Sequence, residues 1–448
     1  MAVAGRELPD DLIANVLRRL PPRSLAVSRC VCTAWRGLVD ARRLLRADQL
    51  PRSVGGIFLN YCALYSPEFL SRPTAGPTIS GDLEFVPGIS EVVDHCNGLL
   101  LVEETTDDYV CNPATRRWAR VPPCPVPCRK DRRYRIKCLA YDPTVSPHFE
   151  VFLIPSLPHP SSPPQSDAWP PSSYALQVFS SKTWCWEERS FVLEGRHLEE
   201  KVFVPEGGRV VGKLYWREEL HVLCKIGSVL RISMSNAKYT MVPKPSEAEC
   251  ERHGFLSLGR SEKGLYCAFN HDSHGLRIFL LNESGGRLGW ELKHIVNLES
   301  FARKLHARED YNHQHKGPWM LQDIDYYKYP YGNSKRREAV EDSFEWNSDD
   351  DDVLHTEDMV EGFYKGYITF LGFHPYKEIA FLELDLTRAV AYHWNTGKFQ
   401  DLGDIYPKNY AEAAGNVAQL VNAFIYTPCW MEDFPENKLE ARIEDWRK

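Results

Sequence analysis

The apolar positions change period once along the chain. From Leu8 to Leu20 the residues Leu12, Ile13, Val16, Leu17 and Leu20 recur at helical spacing, which predicts an amphipathic helix. Asp10 or Asp11 supplies its first turn, Pro21 and Pro22 stop it, and Ser24 and Thr33 stand as N-caps of two further short helices. "LPRSVGG", from Leu50, breaks that texture. Beyond it, short alternating or β-branched runs are punctuated by Pro, Gly, Asn and Asp, so many short strands joined by tight turns are expected.

One theme recurs among these runs: an apolar strand, a turn rich in Asn, Ser or Thr, then a strand opening on an aromatic residue. It is found in "DDYVCNPATRRWARVPP", "ALQVFSSKTWCWEERSF", "SVLRISMSNAKYTMVPKP", "LRIFLLNESGGRLGWELKHI" and "AVAYHWNTGKFQDLGDIYP". The aromatic falls at Trp118, Trp186, Tyr239, Trp290 and Phe399, at intervals of 68, 53, 51 and 109. A unit of roughly fifty residues with one copy obscured fits this spacing, and four short strands per fifty residues is what a propeller blade requires. A lone four-stranded blade has two apolar faces and can bury neither, whereas blades packed in a ring cover both. Five visible units, plus a sixth drawn from the hidden segment or from terminal strands such as "GGIFLNY" and "LVNAFIYTP", predict about six blades, within a range of five to eight.

Charge divides the chain at the same place as the period. The first fifty residues hold nine Lys/Arg against five Asp/Glu, or +4, so the remainder carries -11 of the net -7. Two modules are therefore expected, at 1–50 and 51–448. Two stretches of the second do not read as strands. Residues 154–173, "IPSLPHPSSPPQSDAWPPSS", are a Pro/Ser-rich loop. Residues from about 304 to 360, with "NSDDDD" at 347–352, are polar, acidic and strand-poor, and predict a partly disordered insertion.

No long Lys/Arg block is present, which argues against nucleic acid as the partner. Nothing approaches 18 consecutive apolar residues, and "MAVAGRELPDDL" lacks a signal-peptide pattern. A soluble, intracellular protein without a membrane segment is expected, cytoplasmic or nuclear. Thirteen cysteines, an odd number at irregular spacing, suit reduced thiols better than a disulfide framework.

The opening helical stretch resembles an F-box. "LPDDLIANVLRRLPPRSLAVSRCVCTAWRGLV" has a Leu-Pro start at Leu8-Pro9, a Leu-Pro midpoint at Leu20-Pro21 and a Val-Cys-x-x-Trp-Arg ending at Val31 to Arg36. The rest is similar to the plant F-box-associated, kelch-like β-propeller region in phrases such as "CNGLLLVEE", "NPATRRW" and "LGFHPYKEIAFLEL". The resemblance implies a mainly β chain with a three-helix F-box followed by a propeller. It also implies a non-catalytic substrate-recognition subunit of an SCF-type ubiquitin ligase. In that role the F-box docks on a Skp-type adaptor, and through it on a cullin and a RING subunit, while the propeller holds the target protein. The docking residues it implies are Leu8, Pro9, Ile13, Leu17, Leu20, Pro21, Leu25, Val31, Cys32, Trp35 and Leu38. Independently of the resemblance, so small a helical piece carries more apolar side chains than its own core can hide, which points to a partner. Within the set, Val31 and Leu38 could instead hold the helices together.

Other chemistry is thinly supported. His271, His274, His306, His313 and His315 form no metal-ligand spacing, and Cys124 and Cys128 lack the second pair that structural zinc needs. Cys30 and Cys32 read as small apolar residues of the helical motif. No G-x-S-x-G, Walker or dinucleotide-binding motif occurs, and no cofactor is expected. The alternatives are a propeller-based oxidase or glycan hydrolase with accessory helices, and a scaffold that binds without promoting degradation.

Overall fold

The structure is a computed structural model. It describes residues 9–20, 28, 31–42, 44, 53–73, 79–105, 107–125, 136–154, 170–194, 210–224, 227–245, 254–271, 274–283, 288–311, 317–328, 353–354, 364–430 and 434. The loop expected at 154–173 falls mostly outside this set, as does much of 304–360. The chain is mainly β. Two helices open it, α1 (Asp10–Leu17) and α2 (Thr33–Ala41). The helix expected between them lies outside the described residues apart from Ser28.

Strands follow in antiparallel meanders. β1 (Gly56–Tyr61) and β2 (Glu68–Ser71) form a hairpin, and β3 (Glu91–Cys96), β4 (Leu99–Glu103), β5 (Asp108–Asn112) and β6 (Arg117–Val121) a four-stranded sheet. Next come β7 (Ile136–Ala140), β8 (Glu150–Ile154), β9 (Ser173–Ser180) and β10 (Cys185–Leu193). After the short β11 (Val210–Val211), a further four are β12 (Lys213–Trp216), β13 (Glu219–Leu223), β14 (Val229–Ser233) and β15 (Lys238–Val242). These last two meanders join edge to edge through parallel pairing of Val192 with Lys238 and Leu193 with Tyr239, giving one eight-stranded sheet. β11 then pairs in parallel with the first of β16 (Gly254–Ser261), β17 (Gly264–His271), β18 (Gly275–Asn282) and β19 (Gly289–Asn297).

The chain now departs from simple repetition. Helix α3 (Glu299–Tyr311), β20 (Met320–Leu321), helix α4 (Ile324–Lys328) and β21 (Val353–Leu354) precede the meander β22 (Ile368–Phe373), β23 (Ile379–Leu384), β24 (Arg388–His393) and β25 (Lys398–Asp404). Helix α5 (Tyr410–Ala414) leads to β26 (Leu420–Tyr426). β26 pairs antiparallel with β1, Ile425 opposite Ile57, while β20 pairs with β2, Leu321 opposite Leu70. The sheet β20-β2-β1-β26 is thus assembled from three distant parts of the chain. β21 adds to the outer edge of β25.

For the sixth unit the sequence offered two sources, a segment hidden between Trp290 and Phe399 or the terminal strands. Among the described residues that interval holds no four-stranded meander of its own, and its β20 completes the sheet built from the terminal strands. The recurring aromatics, by contrast, fall on β6, β10, β15, β19 and β25, the last strand of each successive meander. Two of them bridge to the preceding meander: Trp186 Nε1–H donates to the Pro122 carbonyl and Trp290 Nε1–H to that of Pro243, both at 2.7 Å.

The first strand of each four-stranded meander and β26 of the terminal sheet stand against one another in the cyclic order β26, β3, β7, β12, β16, β22, and β22 lies against β26 again. The cores sit between neighbouring sheets; Ile57, Leu59 and Leu70 pack with Ile379, Phe381 and Ala389 in one of them. Turn chemistry supports this arrangement. Asn97 and Gly98 link β3 to β4 with φ of 45° and 88°, the left-handed pair a two-residue hairpin needs. A Cβ on Gly98 would lie 2.4 Å from the Cys429 Cβ, so this turn also admits the chain's C-terminal segment at close range.

Candidate functional site

The helical module is built on a small core. Ala14, Leu17, Val39 and Leu44 are buried, with Ile13, Leu20, Trp35 and Leu38 packed at its margin. The Pro9 carbonyl receives the first helical bonds of α1, from the N–H groups of Leu12 (2.9 Å) and Ile13 (3.2 Å). Asp10 and Asp11 occupy the first turn, where the helix dipole favours negative charge. For α2 the sequence expectation is corrected: Thr33 is its first helical residue, and Cys32 Sγ accepts the Trp35 N–H at 3.4 Å in the capping position. Asp11 and Arg42 form an ion pair that ties the start of α1 to the end of α2.

Three large apolar side chains face outward: Leu12 at 52% exposure, Val16 at 63% and Val31 at 63%. Leu12 and Val16 lie one turn apart on α1. Of the residues named from the resemblance, Pro9, Val31 and Cys32 are exposed; Ile13, Leu20, Trp35 and Leu38 are half-buried; and Leu17 is 1% exposed. Leu8, Pro21 and Leu25 lie outside the described residues. Leu12 and Val16 were not in that set. The signal was present, because at 3.6 residues per turn the five apolar positions from Leu12 to Leu20 span an arc of about 140°, too wide for one helix to cover.

A second site lies among the first strands, where β3, β7, β12, β16, β22 and β26 line a cavity of about 1680 Å³. Its walls mix apolar residues such as Val93, Leu214, Leu371 and Ile425 with Asp94, His95, Lys213, Arg260 and Glu383. Asp94 accepts the Leu139 N–H at 2.7 Å, and burial pushes its carboxyl up to about 6. Burial drives His95 down to about 4, aided by the positive charges of Arg260 and Lys213. Glu383 accepts the Leu386 N–H at 2.7 Å, and burial raises it to about 7. Cys96 donates its thiol to the Tyr141 carbonyl (3.2 Å), and burial moves it up to about 12, so it is a packed thiol and no nucleophile at neutral pH.

Among the described residues no group of three His, Cys, Asp or Glu side chains could hold a metal ion. His271 stacks on Phe269, and His274 Nε2 lies 2.7 Å from the Gly366 carbonyl. No helix among the described residues is long and apolar enough to cross a membrane.

Comparison with known proteins bears on the helical module. Residues 6–47 match the F-box domain family. One F-box protein of Arabidopsis thaliana is 32% identical over 116 residues, which is 24% of this chain and 31% of that one. A second from the same plant is 26% identical over 149 residues (30% and 39%), and a third is 25% identical over 195 residues (40% and 44%). The chain thus spans about a third of the length of the first curated relatives it matches. Among solved structures, the N-terminal domain of Nup159 aligns with a TM-score of 0.27 at 12% identity over 71% of this chain and 64% of that one. AztD from Citrobacter koseri gives 0.29 at 10% over 79% and 83%. Likenesses this slight carry no argument. The N-terminal module is an F-box domain, and the curated relatives of the chain are plant F-box proteins.

Proposed function

We propose that the protein is the substrate-recognition subunit of an SCF-type cullin-RING ubiquitin ligase. The F-box domain docks on a Skp-type adaptor, and through it on a cullin and a RING subunit, while residues 51–448 form a six-bladed β-propeller that holds the target protein. The chain supplies proximity rather than chemistry: it raises the effective concentration of a target lysine near a loaded conjugating enzyme. Support for the propeller comes from the cyclic order of the first strands and from the pairing of β26 with β1, which joins the two ends of the β region in one sheet.

The observation that carries the docking half is the exposure of Leu12 and Val16 on α1 and of Val31 ahead of α2, beside a core that among the described residues buries four side chains. An unburied apolar strip on so small a module calls for a partner surface. To the eleven positions implied by the resemblance we add Leu12 and Val16, with Leu17 acting from beneath as support. Trp35, half-buried at the margin, is the aromatic anchor of the set.

The test is co-expression of the full chain with a Skp-type adaptor, followed by size-exclusion chromatography. Wild type is expected to co-migrate, and the double variant Leu12→Asp, Val16→Asp to elute alone with an unchanged circular dichroism spectrum. A wild-type chain that stays alone, or a double variant that still co-migrates, would overturn the reading.

A further inference from the structure

Three arginines that are buried or half-buried in the β sheets are paired with carboxylates. Arg189 binds Glu150 and Glu187, Arg231 binds Glu219 and Glu283, and Arg388 binds Asp401 and Asp404. Arg260, on β16, breaks this pattern. It lines the central cavity, is half-buried, and among the described residues forms no ion pair. Its guanidinium makes one hydrogen bond, to the neutral Asn97 Oδ1 at 3.2 Å, and lies 5.5 Å from the centre of the Tyr376 ring.

The surroundings hold it in place without neutralising it. Asn97 is fixed by the β3–β4 turn and by donating its Nδ2–H to the Tyr141 carbonyl at 2.6 Å. The second cation of the cavity, Lys213, donates to the Lys137 carbonyl, again a neutral partner. The carboxylates that share the cavity have bonds elsewhere: Asp94 to the Leu139 N–H and Glu383 to the Leu386 N–H. A guanidinium has five donors in a planar fork and is built for two-point contact with an oxyanion. Half-buried in the cavity wall with most donors unused, it offers an anion more than the same group would on the open surface.

We propose that the cavity binds a small organic anion, whose carboxylate, sulfonate or phosphate meets Arg260 beside Asn97 and whose apolar body lies against walls such as Val93, Leu214 and Leu371. The volume suits an organic molecule larger than a bare inorganic ion, and the walls favour an apolar body. This inference goes beyond the receptor role and does not rest on adaptor docking.

The experiment is a pair of fluorescence titrations of the full chain, with anilinonaphthalene sulfonate and with N-phenylnaphthylamine, a similar aromatic body without the charge. The wild type is expected to bind the sulfonate saturably and on the order of tenfold more tightly than the neutral probe, as a charge-assisted contact implies. Arg260→Gln is expected to abolish that preference while leaving the neutral probe's affinity unchanged, and Lys293→Gln, on the exposed β19, to retain it. Asn97→Asp, which sets a carboxylate against the guanidinium, is expected to abolish the preference with the arginine still present. This variant keeps the test decisive if Arg260→Gln fails to fold. Equal binding of the two probes by wild type, or a preference that survives in a folded Arg260→Gln or Asn97→Asp chain, overturns the proposal.

Discussion

The F-box helices and the β sheets solve the burial problem differently. Among the described residues the helical module closes on four buried side chains and leaves Leu12, Val16 and Val31 in solvent. The sheets enclose whole phenylalanines, among them Phe58, Phe69, Phe152, Phe179 and Phe381, between neighbouring faces. An eight-residue helix such as α1 is marginal by itself, so the first module depends on what it packs against. The second carries its own partners, because each sheet buries its face against the next. The contrast separates a part that leaves apolar side chains in solvent from one whose sheets cover one another.

The comparison breaks most readily at Phe381. It is fully buried on β23 and packs against Ile57, Leu59 and Leu70, where the sheet of the terminal strands meets its neighbour. Phe381→Ala is expected to lower the stability of the β region by about 3–5 kcal/mol, read from chemical denaturation by tryptophan fluorescence. A loss below about 1 kcal/mol would mean that the junction is not cooperative with the rest.

Leu17→Ala makes the complementary cut. The side chain is the largest of those buried on α1, and its removal is expected to cost the F-box about 2–5 kcal/mol. If the modules are as separate as their cores, the helical signal in far-ultraviolet circular dichroism melts early while the sheet transition stays put. A matching shift of the sheet transition would show that the two are one cooperative unit.

These differences were unequally legible in the sequence. The five aromatics at Trp118, Trp186, Tyr239, Trp290 and Phe399 mark the last strand of each meander because alternation and turn residues are local signals. The sheet β20-β2-β1-β26 was only half visible. "GGIFLNY" and "LVNAFIYTP" read as strands, but their pairing joins residues more than three hundred and fifty positions apart, and no local pattern encodes that. Residues 317–328 were read into a polar insertion, yet Trp319 is buried and its backbone N–H donates to the Leu402 carbonyl at 2.8 Å. One aromatic in a polar context gives no period to detect. For α1 the sequence revealed an apolar arc too wide for its core, but which edge turns inward depends on where α2 lies. Arg260 sits in "LSLGRS", a plain strand phrase, and its lack of a carboxylate partner is a property of the assembled strands alone.

Acid sharpens the comparison on the sheet side. Glu68 is buried and accepts the N–H groups of Ile324 (2.7 Å) and Asp325 (2.9 Å) at the start of α4. Burial pushes its carboxyl up to about 7, and the charges of Asp323 and Asp325 add to the rise. Asp323 in turn pairs with Lys408 at 3.0 Å, and Lys328 lies nearby on α4. A carboxyl raised above its unfolded value binds its proton more tightly in the folded chain. Its contribution is full below the unfolded value of 4.5 and is lost as pH rises through about 7. Glu383, raised to about 7 by burial, acts in the same direction. The two carboxyls therefore favour the folded β region near pH ~5 over pH ~7.5, while buried His95 and His221, whose values are pushed down, act against them. Glu68→Gln is expected to lower stability at pH ~5 relative to pH ~7.5 by about 2 kcal/mol. Denaturation midpoints at the two pH values measure it, and a pH dependence unchanged in the variant would remove Glu68 from the account.

The smallest effect is expected at the ion pair between Asp11 and Arg42, although it is the visible tie between the two described helices. Both side chains are well exposed, Asp11 at 79% and Arg42 at 40%, so water and salt screen most of the attraction and ordering two mobile side chains offsets much of the remainder. Arg42→Ala is expected to change F-box stability by no more than about 0.5 kcal/mol, with the helical melt measured beside that of Leu17→Ala. A null result there, next to a large one at Leu17, would place the cohesion of the module in its four-residue core. Whatever further stability it has in the cell would then come from the surface that covers Leu12 and Val16. A loss at Arg42 approaching that at Leu17 would mean the helices are held together at their ends, and the exposed strip could no longer be counted as the module's main unmet need.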